Sequence, residues 1–158
     1  KNEPLLVKKE LFEEITALDF KWGFVSGSER PSAQFVLEDK LGLINPPLVA
    51  MNDAPEKPNP IGLIKLAKQL ANQELGSTVP PIGYLGDTVA DIWTIKKARI
   101  KIPEQEFLSF AVSPPHLHFK RKQRNDYELK LREAGANAII PSTKYIINEL
   151  KNIKNYQS

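Results

Sequence analysis

Two kinds of hydrophobic pattern follow one another along the chain. Short runs that are apolar at nearly every position predict strands buried on both faces, as in a parallel sheet. Runs in which apolar residues recur every three or four positions predict amphipathic helices. The predicted strands are 21–27, 46–52, 82–86, 106–113 and 137–141, and the predicted helices are 7–18, 29–42, 61–73, 88–99, 120–135 and 142–153.

The alternation of these strands and helices predicts the fold class. Strands separated by helices favour an α/β fold with a mostly parallel sheet, right-handed crossovers and helices on both faces. Pro31 can occupy the first turn of the second helix. The positions of that helix predicted to face the core are Phe35, Val36 and Leu41. Ser142 is the predicted N-cap of the last helix.

Composition narrows the class of protein. A length of 158 residues predicts one domain, and 41% apolar with 26% charged residues is ordinary for a soluble globular protein. The net charge of +3 and the pI of about 9.0 indicate an anionic partner only weakly. The absence of cysteine excludes disulfides and thiolate metal sites. No apolar run reaches the ~18 residues of a membrane span, and no signal-peptide pattern is present, so a cytoplasmic protein is expected.

Candidate chemistry lies after the predicted strands. Ser26 ends the first strand, Lys57 lies in the proline-rich loop after the second, and Asp87 and Asp91 follow the third. In open parallel sheets, ligands bind outside the carboxyl ends of the strands. A hydroxyl donates to a phosphoryl oxygen, a lysine neutralises phosphate, and a carboxylate pair suits Mg²⁺. These four residues therefore predict a phosphoryl-transfer site that uses Mg²⁺.

Three segments, "GFVSG", "EKPNP" and "GDTVAD", resemble in this order the motifs of the haloacid dehalogenase (HAD) superfamily, a group of mostly Mg²⁺-dependent phosphatases. The resemblance implies that Ser26 and Gly27 form the second, phosphate-binding motif. It implies that Lys57, followed by proline, is the third motif. Asp87 and Asp91 match the fourth motif, whose carboxylates hold the metal. Ser26 and Lys57 are thereby implied to be catalytic.

The resemblance also implies an activity and a Rossmann-like, HAD-type sheet. The expected function is the core of a hydrolase, a phosphatase that acts on a small phosphorylated metabolite through an aspartyl-phosphate. The first motif of the family, Asp-x-Asp on the central strand, is absent, since no two aspartates lie two positions apart. The cap domain that follows it is absent too. Residues 1–158 are therefore expected to be a partial core domain, the C-terminal part cut off from its first part and inactive alone. The missing N-terminal segment could be a separate fragment or a partner chain.

Other interpretations stay open beside this one. The chain could be a non-catalytic HAD-like domain that binds a phosphorylated ligand or partner. A nucleic-acid-binding module, suggested by the pI and the basic segment 120–124, is less favoured, because such a cluster before a helix is more often a solvated face. Arg30 could contact the substrate phosphate. His116 and His118 fit a surface loop better than a metal site.

The missing first-motif strand predicts a slot in the sheet. In the family this strand lies between the strand that ends at Ser26 and the strand that ends at Asp87. A segment outside the chain, residues 4–7, or direct pairing of the two flanking strands could close the slot. The segment outside the chain is the expected solution, since buried strands with unpaired backbone groups are costly. Direct pairing of 22–26 with 82–86 would contradict it.

Overall fold

A computed structural model of the chain describes residues 7–113, residue 117 and residues 120–157, the last with side chains up to 155. His116, His118 and residues 4–6 therefore lie outside the described residues, as do the predictions that concern them. The regular elements in chain order are α1 (Lys9–Ala17), β1 (Phe24–Val25), α2 (Arg30–Gln34), a π-helical segment (Phe35–Lys40), β2 (Leu48–Val49), α3 (Ile61–Ala71), β3 (Ile82–Gly86), α4 (Val89–Lys101), β4 (Phe107–Ala111), α5 (Arg121–Ala134), β5 (Ala138–Ile139), a 3₁₀ turn (Thr143–Tyr145) and α6 (Ile146–Gln157).

The strands form two parallel sheets. β1 pairs with β2, with Phe24 opposite Leu48, and a second sheet has the order β3-β4-β5, with Ile82 opposite Phe107. The helices between consecutive strands make the parallel crossovers that the sequence pattern predicts. Within the described residues β1 has no strand partner other than β2, and β3 has none other than β4. The direct pairing of 22–26 with 82–86 is therefore not seen there.

Helices α3 and α4 cover one face of both sheets. Gly62 of α3 lies against the β1–β2 sheet, where an added Cβ would sit 3.4 Å from Cγ1 of Val49. The absence of a side chain lets the helix approach the sheet closely. Leu63 of α3 packs in one buried cluster with Ile95 of α4 and Phe107 of β4. This shared cluster joins the two sheets on that face.

Helices α1 and α6 cover the opposite face. Leu11 and Ile15 of α1 pack with Phe110 of β4 and Ile146 of α6, and Trp22 packs against the same cluster. A further aromatic group holds α1 over the start of β1. Its ring centroids are 5.0 to 5.9 Å apart, within the range of favourable aromatic pairs, and it consists of Phe12, Trp22 and Phe24.

The prediction that Phe35 and Val36 face the core is wrong. Their exposed fractions are 51% and 37%, whereas Ala33 and Leu37 are buried against the β1–β2 sheet. The helix changes to π geometry after α2, and the longer hydrogen-bond interval rotates later residues about the helix axis. The Phe35 ring instead lies beneath Lys40, whose Nζ is 5.5 Å from the ring centroid.

Two other local expectations have different outcomes. Ser142 precedes the 3₁₀ turn in extended conformation, but its hydroxyl makes no capping hydrogen bond. The basic segment at the start of α5 is mostly solvated, as expected: the Lys122 side chain is 87% exposed and pairs only loosely with Asp126 at 3.6 Å.

None of the helices in the described part of the chain combines the length and apolar character that a membrane crossing needs.

Candidate functional site

The carboxyl ends of β1 and β2 carry the first part of the site. Ser26 directly follows β1, and its backbone N–H donates to the Val49 carbonyl at 2.8 Å. Its Oγ accepts from the backbone N–H of Ser28 at 3.1 Å, which shapes a tight turn. Gly27 is exposed, and beyond its chain neighbours no described residue has an atom within 4 Å of the place where a Cβ would sit. The turn thus presents a hydroxyl and an open stretch of backbone together.

The Asp91 carboxylate is the centre of the second part. One oxygen, Oδ1, accepts from Nζ of Lys57 at 2.8 Å and from the hydroxyl of Tyr84 at 3.1 Å. The other, Oδ2, accepts from the backbone N–H groups of Asp87 and Thr88, both at 3.1 Å, and from the Thr88 hydroxyl at 2.9 Å. Both oxygens are therefore bonded within the protein, and the side chain is only 6% exposed.

Asp91 and Thr88 also form the N-terminal cap of α4. Thr88 is the N-cap, and its Oγ1 accepts from the Asp91 backbone N–H at 3.2 Å while Asp91 accepts from the Thr88 backbone. This reciprocal arrangement is a capping box. Asp91 is thus also an acid in the first turn of α4, and the N-cap of this helix is Thr88. The spacing T-x-x-D in the sequence is the signal that identifies it.

The surroundings of Asp91 decide its charge. Burial by itself would raise the pKa of Asp91, but the hydrogen bond and positive charge of Lys57, with the bonds from Thr88, hold it below its usual range. Burial and the neighbouring Asp91 carboxylate raise the pKa of Tyr84 far above its usual range. Tyr84 therefore stays protonated and serves as a donor to an ionised Asp91.

Lys57 links the carboxyl end of the β1–β2 sheet to that of the β3-β4-β5 sheet. It lies in the loop after β2, where the Lys57–Pro58 peptide is cis, and its side chain is 30% exposed. Its partner Asp91 belongs to the helix that follows β3. The structure therefore brings together two of the residues that the sequence predicts for the site, although 34 positions separate them along the chain.

Asp87 lies between the end of β3 and the N-cap of α4. Its backbone N–H donates to Asp91, and its carbonyl oxygen accepts from the hydroxyl of Tyr127 on α5. Sequence reasoning missed Tyr84 and Tyr127. Tyr84 lay unremarked inside an apolar strand, and no local pattern links a tyrosine of α5 to residue 87. Both tyrosines hold residues 87–91, which we call the acidic loop, from outside that segment.

Arg30 contacts residues in β2 and in the loop that follows it. Its Nη2 donates to the Leu48 carbonyl at 3.1 Å and to the carboxylate of Asp53. Asp53 also accepts from the Ala50 backbone N–H at 2.8 Å, so the three groups stiffen the end of β2. Among the described residues Arg30 has no bond to Lys57 or Asp91. Its predicted contact with a substrate phosphate stays a prediction.

The carboxylates of the acidic loop can be compared with the ligands that Mg²⁺ usually binds. No group of three or more His, Cys, Asp or Glu side chains that could hold a metal occurs among the described residues. Mg²⁺ usually takes one or two carboxylates and fills its other positions with water and substrate oxygens. Asp87 and Asp91 are oxygen donors of that kind, and Asp91 is ionised at neutral pH. Asp91 already accepts five hydrogen bonds, so of the pair Asp87 is the carboxylate that fits direct binding to a partly hydrated Mg²⁺, with Asp91 behind it.

The protonation of Asp91 should make stability depend on pH in one direction. The pKa of Asp91 is lower in the folded than in the unfolded chain, so the ionised carboxylate contributes fully to the free energy of unfolding above its ordinary pKa of 3.8. This contribution is lost as the pH falls through the pKa of the folded state. We expect Asp91→Asn to lower the free energy of unfolding by about 1–3 kcal/mol at pH 7. This deficit should shrink below pH 3.8.

Urea unfolding from pH 7 to pH 3 measures this deficit. Asp126→Asn is the matched control, because the Asp126 side chain is 66% exposed on α5 and its loss should change stability by no more than about 0.5 kcal/mol. A deficit for Asp91→Asn that stays constant across the range would show that charge on Asp91 does not stabilise the fold.

Comparisons with known proteins give the fold of the chain. No family model and no curated protein matches its sequence. Among solved structures, the crystal structure of a phosphonoacetaldehyde hydrolase-like protein from Oleispira antarctica is similar, with a TM-score of 0.67 and 17% identity. The likeness covers 97% of this chain and 58% of that one. It confirms the predicted fold class, an α/β, Rossmann-like arrangement of parallel sheets flanked by helices.

Proposed function

We propose that the chain is the core of a Mg²⁺-dependent HAD-like hydrolase, a phosphatase that acts on a small phosphorylated metabolite. The observation that supports this most is the 2.8 Å contact between Lys57 and Asp91. It joins the loop after β2 to the acidic loop after β3, and Ser26 follows β1, the strand paired with β2. A cation, a hydroxyl and carboxylates that follow the carboxyl ends of β1, β2 and β3 suit the binding and transfer of a phosphoryl group.

Each residue has a distinct role in this proposal. Lys57 neutralises the phosphoryl oxygens, and Asp91 orients the Lys57 ammonium through their ion pair. The hydroxyl of Ser26 and the open backbone at Gly27 bind the same phosphoryl group. Asp87, with Asp91 behind it, would hold Mg²⁺, which when bound supplies charge neutralisation for the reacting phosphoryl group.

The proposal takes the nucleophile from outside residues 1–158. The aspartate that would form the aspartyl-phosphate belongs to the absent Asp-x-Asp motif, so the chain alone would bind a phosphoryl group without hydrolysing it. The solved structure of similar fold is named for phosphonoacetaldehyde hydrolase, and a phosphonate offers Lys57 the same kind of anionic group as a phosphate ester. This chain spans just over half of that protein.

Hydrolysis of p-nitrophenyl phosphate tests the proposal and separates it from the binding-domain alternative. The chain is assayed with Mg²⁺, alone and joined to an added strand that carries Asp-x-Asp. We expect no turnover from the chain alone and measurable turnover from the joined protein. Binding of inorganic phosphate with no turnover in either form would favour the non-catalytic domain. Neither binding nor turnover would refute the phosphoryl site.

A further inference from the structure

Helix α5 begins beyond the carboxyl edge of the β3-β4-β5 sheet. It connects the parallel strands β4 and β5, so it runs from that edge back toward the amino ends of the strands. The Tyr127 hydroxyl donates to the carbonyl of Asp87, which directly follows β3. The hydroxyl of Ser113, just after β4, donates to the carboxylate of Glu128 at 2.8 Å. The middle of α5 is therefore level with the carboxyl ends of the strands.

The part of α5 that precedes Tyr127 extends past this edge. Residues 120–126, which we call the overhang, span roughly 10 Å along the helix axis at a rise of about 1.5 Å per residue. The overhang contains four cations, Lys120, Arg121, Lys122 and Arg124, and one acid, Asp126. This basic segment thus lies within two helical turns of the acidic loop.

One face of α5 continues from the core into the overhang. Tyr127 and Leu131 lie on the face that points to the sheet, since the first contacts the acidic loop and the second is 0% exposed. Residues three, four or seven positions apart share a helix face, so Arg124 lies on the same face. Arg121 continues it one turn earlier and is exposed, because the helix has run past the sheet there. Lys122 lies on the outward face.

The charges of the overhang oppose the dipole of α5. Helix α4 has an acid in its first turn and bases in its last, the order that the dipole favours. The first turn of α5 has no acid, and the side chain of its N-cap, Lys120, makes no capping bond within the described residues. Nε of Arg124 is buried without a hydrogen bond there, and the Glu128 carboxylate lies 3.8 Å from it. A bound anion would offset both costs.

We propose that Arg121 and Arg124 bind a second anionic group of the substrate, so that the substrate is a phosphate ester that also carries a phosphate or a carboxylate. This inference rests on the proposed function, in which Lys57 and Ser26 bind the phosphoryl group that is transferred. A guanidinium presents a planar fork of donors that matches the oxygens of either group. The two arginines are then the residues that distinguish such substrates from phosphate esters of uncharged alcohols.

The direction of the arginines favours a small ligand over a nucleic acid. A nucleic-acid surface presents its cations along an exposed face. The outward face of the overhang instead carries both signs of charge, with Lys122 and Asp126 at 3.6 Å from each other. The arginines share the face that points to the sheet and to the acidic loop, where only a small ligand reaches both.

Calorimetric titration of residues 1–158 with matched ligands tests the inference. The ligands are butyl phosphate, butane-1,4-diol bisphosphate and 4-(phosphonooxy)butanoate, with inorganic phosphate as the probe of the phosphoryl site. We expect the second anionic group to tighten binding about tenfold or more relative to butyl phosphate. The bisphosphate and the carboxylate show which of the two groups the arginines prefer.

Two variants locate the second group. Arg121→Gln should remove most of the gain and leave the affinity for butyl phosphate unchanged, and the exposure of Arg121 means that the fold should not suffer. Lys122→Gln is the matched control, because it removes the same charge from the next position along α5 but on the outward face. This control should keep the whole gain.

Each other outcome contradicts the inference. If neither inorganic phosphate nor butyl phosphate binds, the proposed phosphoryl site is wrong and the inference falls with it. If both bind but the second group adds nothing, the inference alone is wrong. A gain that falls equally in Arg121→Gln and Lys122→Gln would show general charge attraction in place of a site. A single-stranded oligonucleotide that binds more tightly than either doubly anionic ligand, and is weakened equally by both variants, would assign the overhang to nucleic acid.

Discussion

Replacing Lys57 with methionine should lower the rate of phosphate ester hydrolysis about 100- to 1,000-fold in the protein joined to an Asp-x-Asp strand. Methionine keeps the length of the side chain but removes the ammonium that the proposal assigns to the phosphoryl oxygens. The loss should appear mainly in kcat, because charge on those oxygens develops most in the transition state. A pre-steady-state and steady-state assay of p-nitrophenyl phosphate at saturating Mg²⁺ measures it.

The fold should survive this substitution. Asp91 loses one of five hydrogen bonds and keeps those from Tyr84, Thr88 and Asp87, so we expect a stability loss of about 1–3 kcal/mol and a higher pKa for Asp91. Lys68→Met is the matched control. Its ion pair with Glu74 on the surface is exposed, and its removal should leave turnover unchanged. Undiminished turnover in Lys57→Met, or its unfolding, would remove Lys57 from the proposed role.

Replacing Asp87 with asparagine should weaken the response to Mg²⁺ strongly. The proposal expects hydrolysis to require Mg²⁺, and asparagine has nearly the same shape as aspartate but lacks the charge that holds a hard cation. We expect turnover to fall about 100-fold or more, with half-saturation shifted to higher Mg²⁺ concentration. The backbone of residue 87 keeps its bonds to Asp91 and Tyr127, so the loop should keep its form.

Titration of Mg²⁺ by isothermal calorimetry gives a second readout for Asp87→Asn that does not depend on turnover. Asp39→Asn, at an exposed position of the π-helical segment, is the control and should bind and hydrolyse as the parent does. Full activity of the parent in excess chelator would be incompatible with a metal-dependent mechanism. Equal Mg²⁺ affinity of Asp87→Asn and the parent would place the metal elsewhere.

The order of the elements was predictable because it depends on local pattern. Continuous apolar runs gave all five strands, and the three-to-four spacing gave the helices, since each pattern matches the geometry of one kind of backbone. The π-helical segment was not predictable, because its sequence also fits an ordinary helix. Phe35 and Val36 were assigned to the core by that spacing, and the wider turns of the segment turned them toward solvent.

The candidate site was also predictable only in part. Ser26, Lys57 and Asp87 could be found because each lies at a strand end or in the loop after it, which is a position along the chain. The T-x-x-D spacing of Thr88 and Asp91 likewise predicts a capping box. The contacts of Tyr84, Tyr127 and Lys57 with the acidic loop could not be read from any local pattern, since each joins different elements.

The sequence by itself determined the α/β class, the succession of strands and helices and the residue types available for chemistry, because these follow from periodicity and from side-chain identity. Only the tertiary structure decided that Asp91 is ionised and bonded through both oxygens, because its pKa depends on burial and on a lysine 34 positions away. The tertiary structure also decided that β1 and β3 stand apart with helices over both faces. Strand pairing depends on which backbone edges meet in space, and no single segment of sequence specifies that.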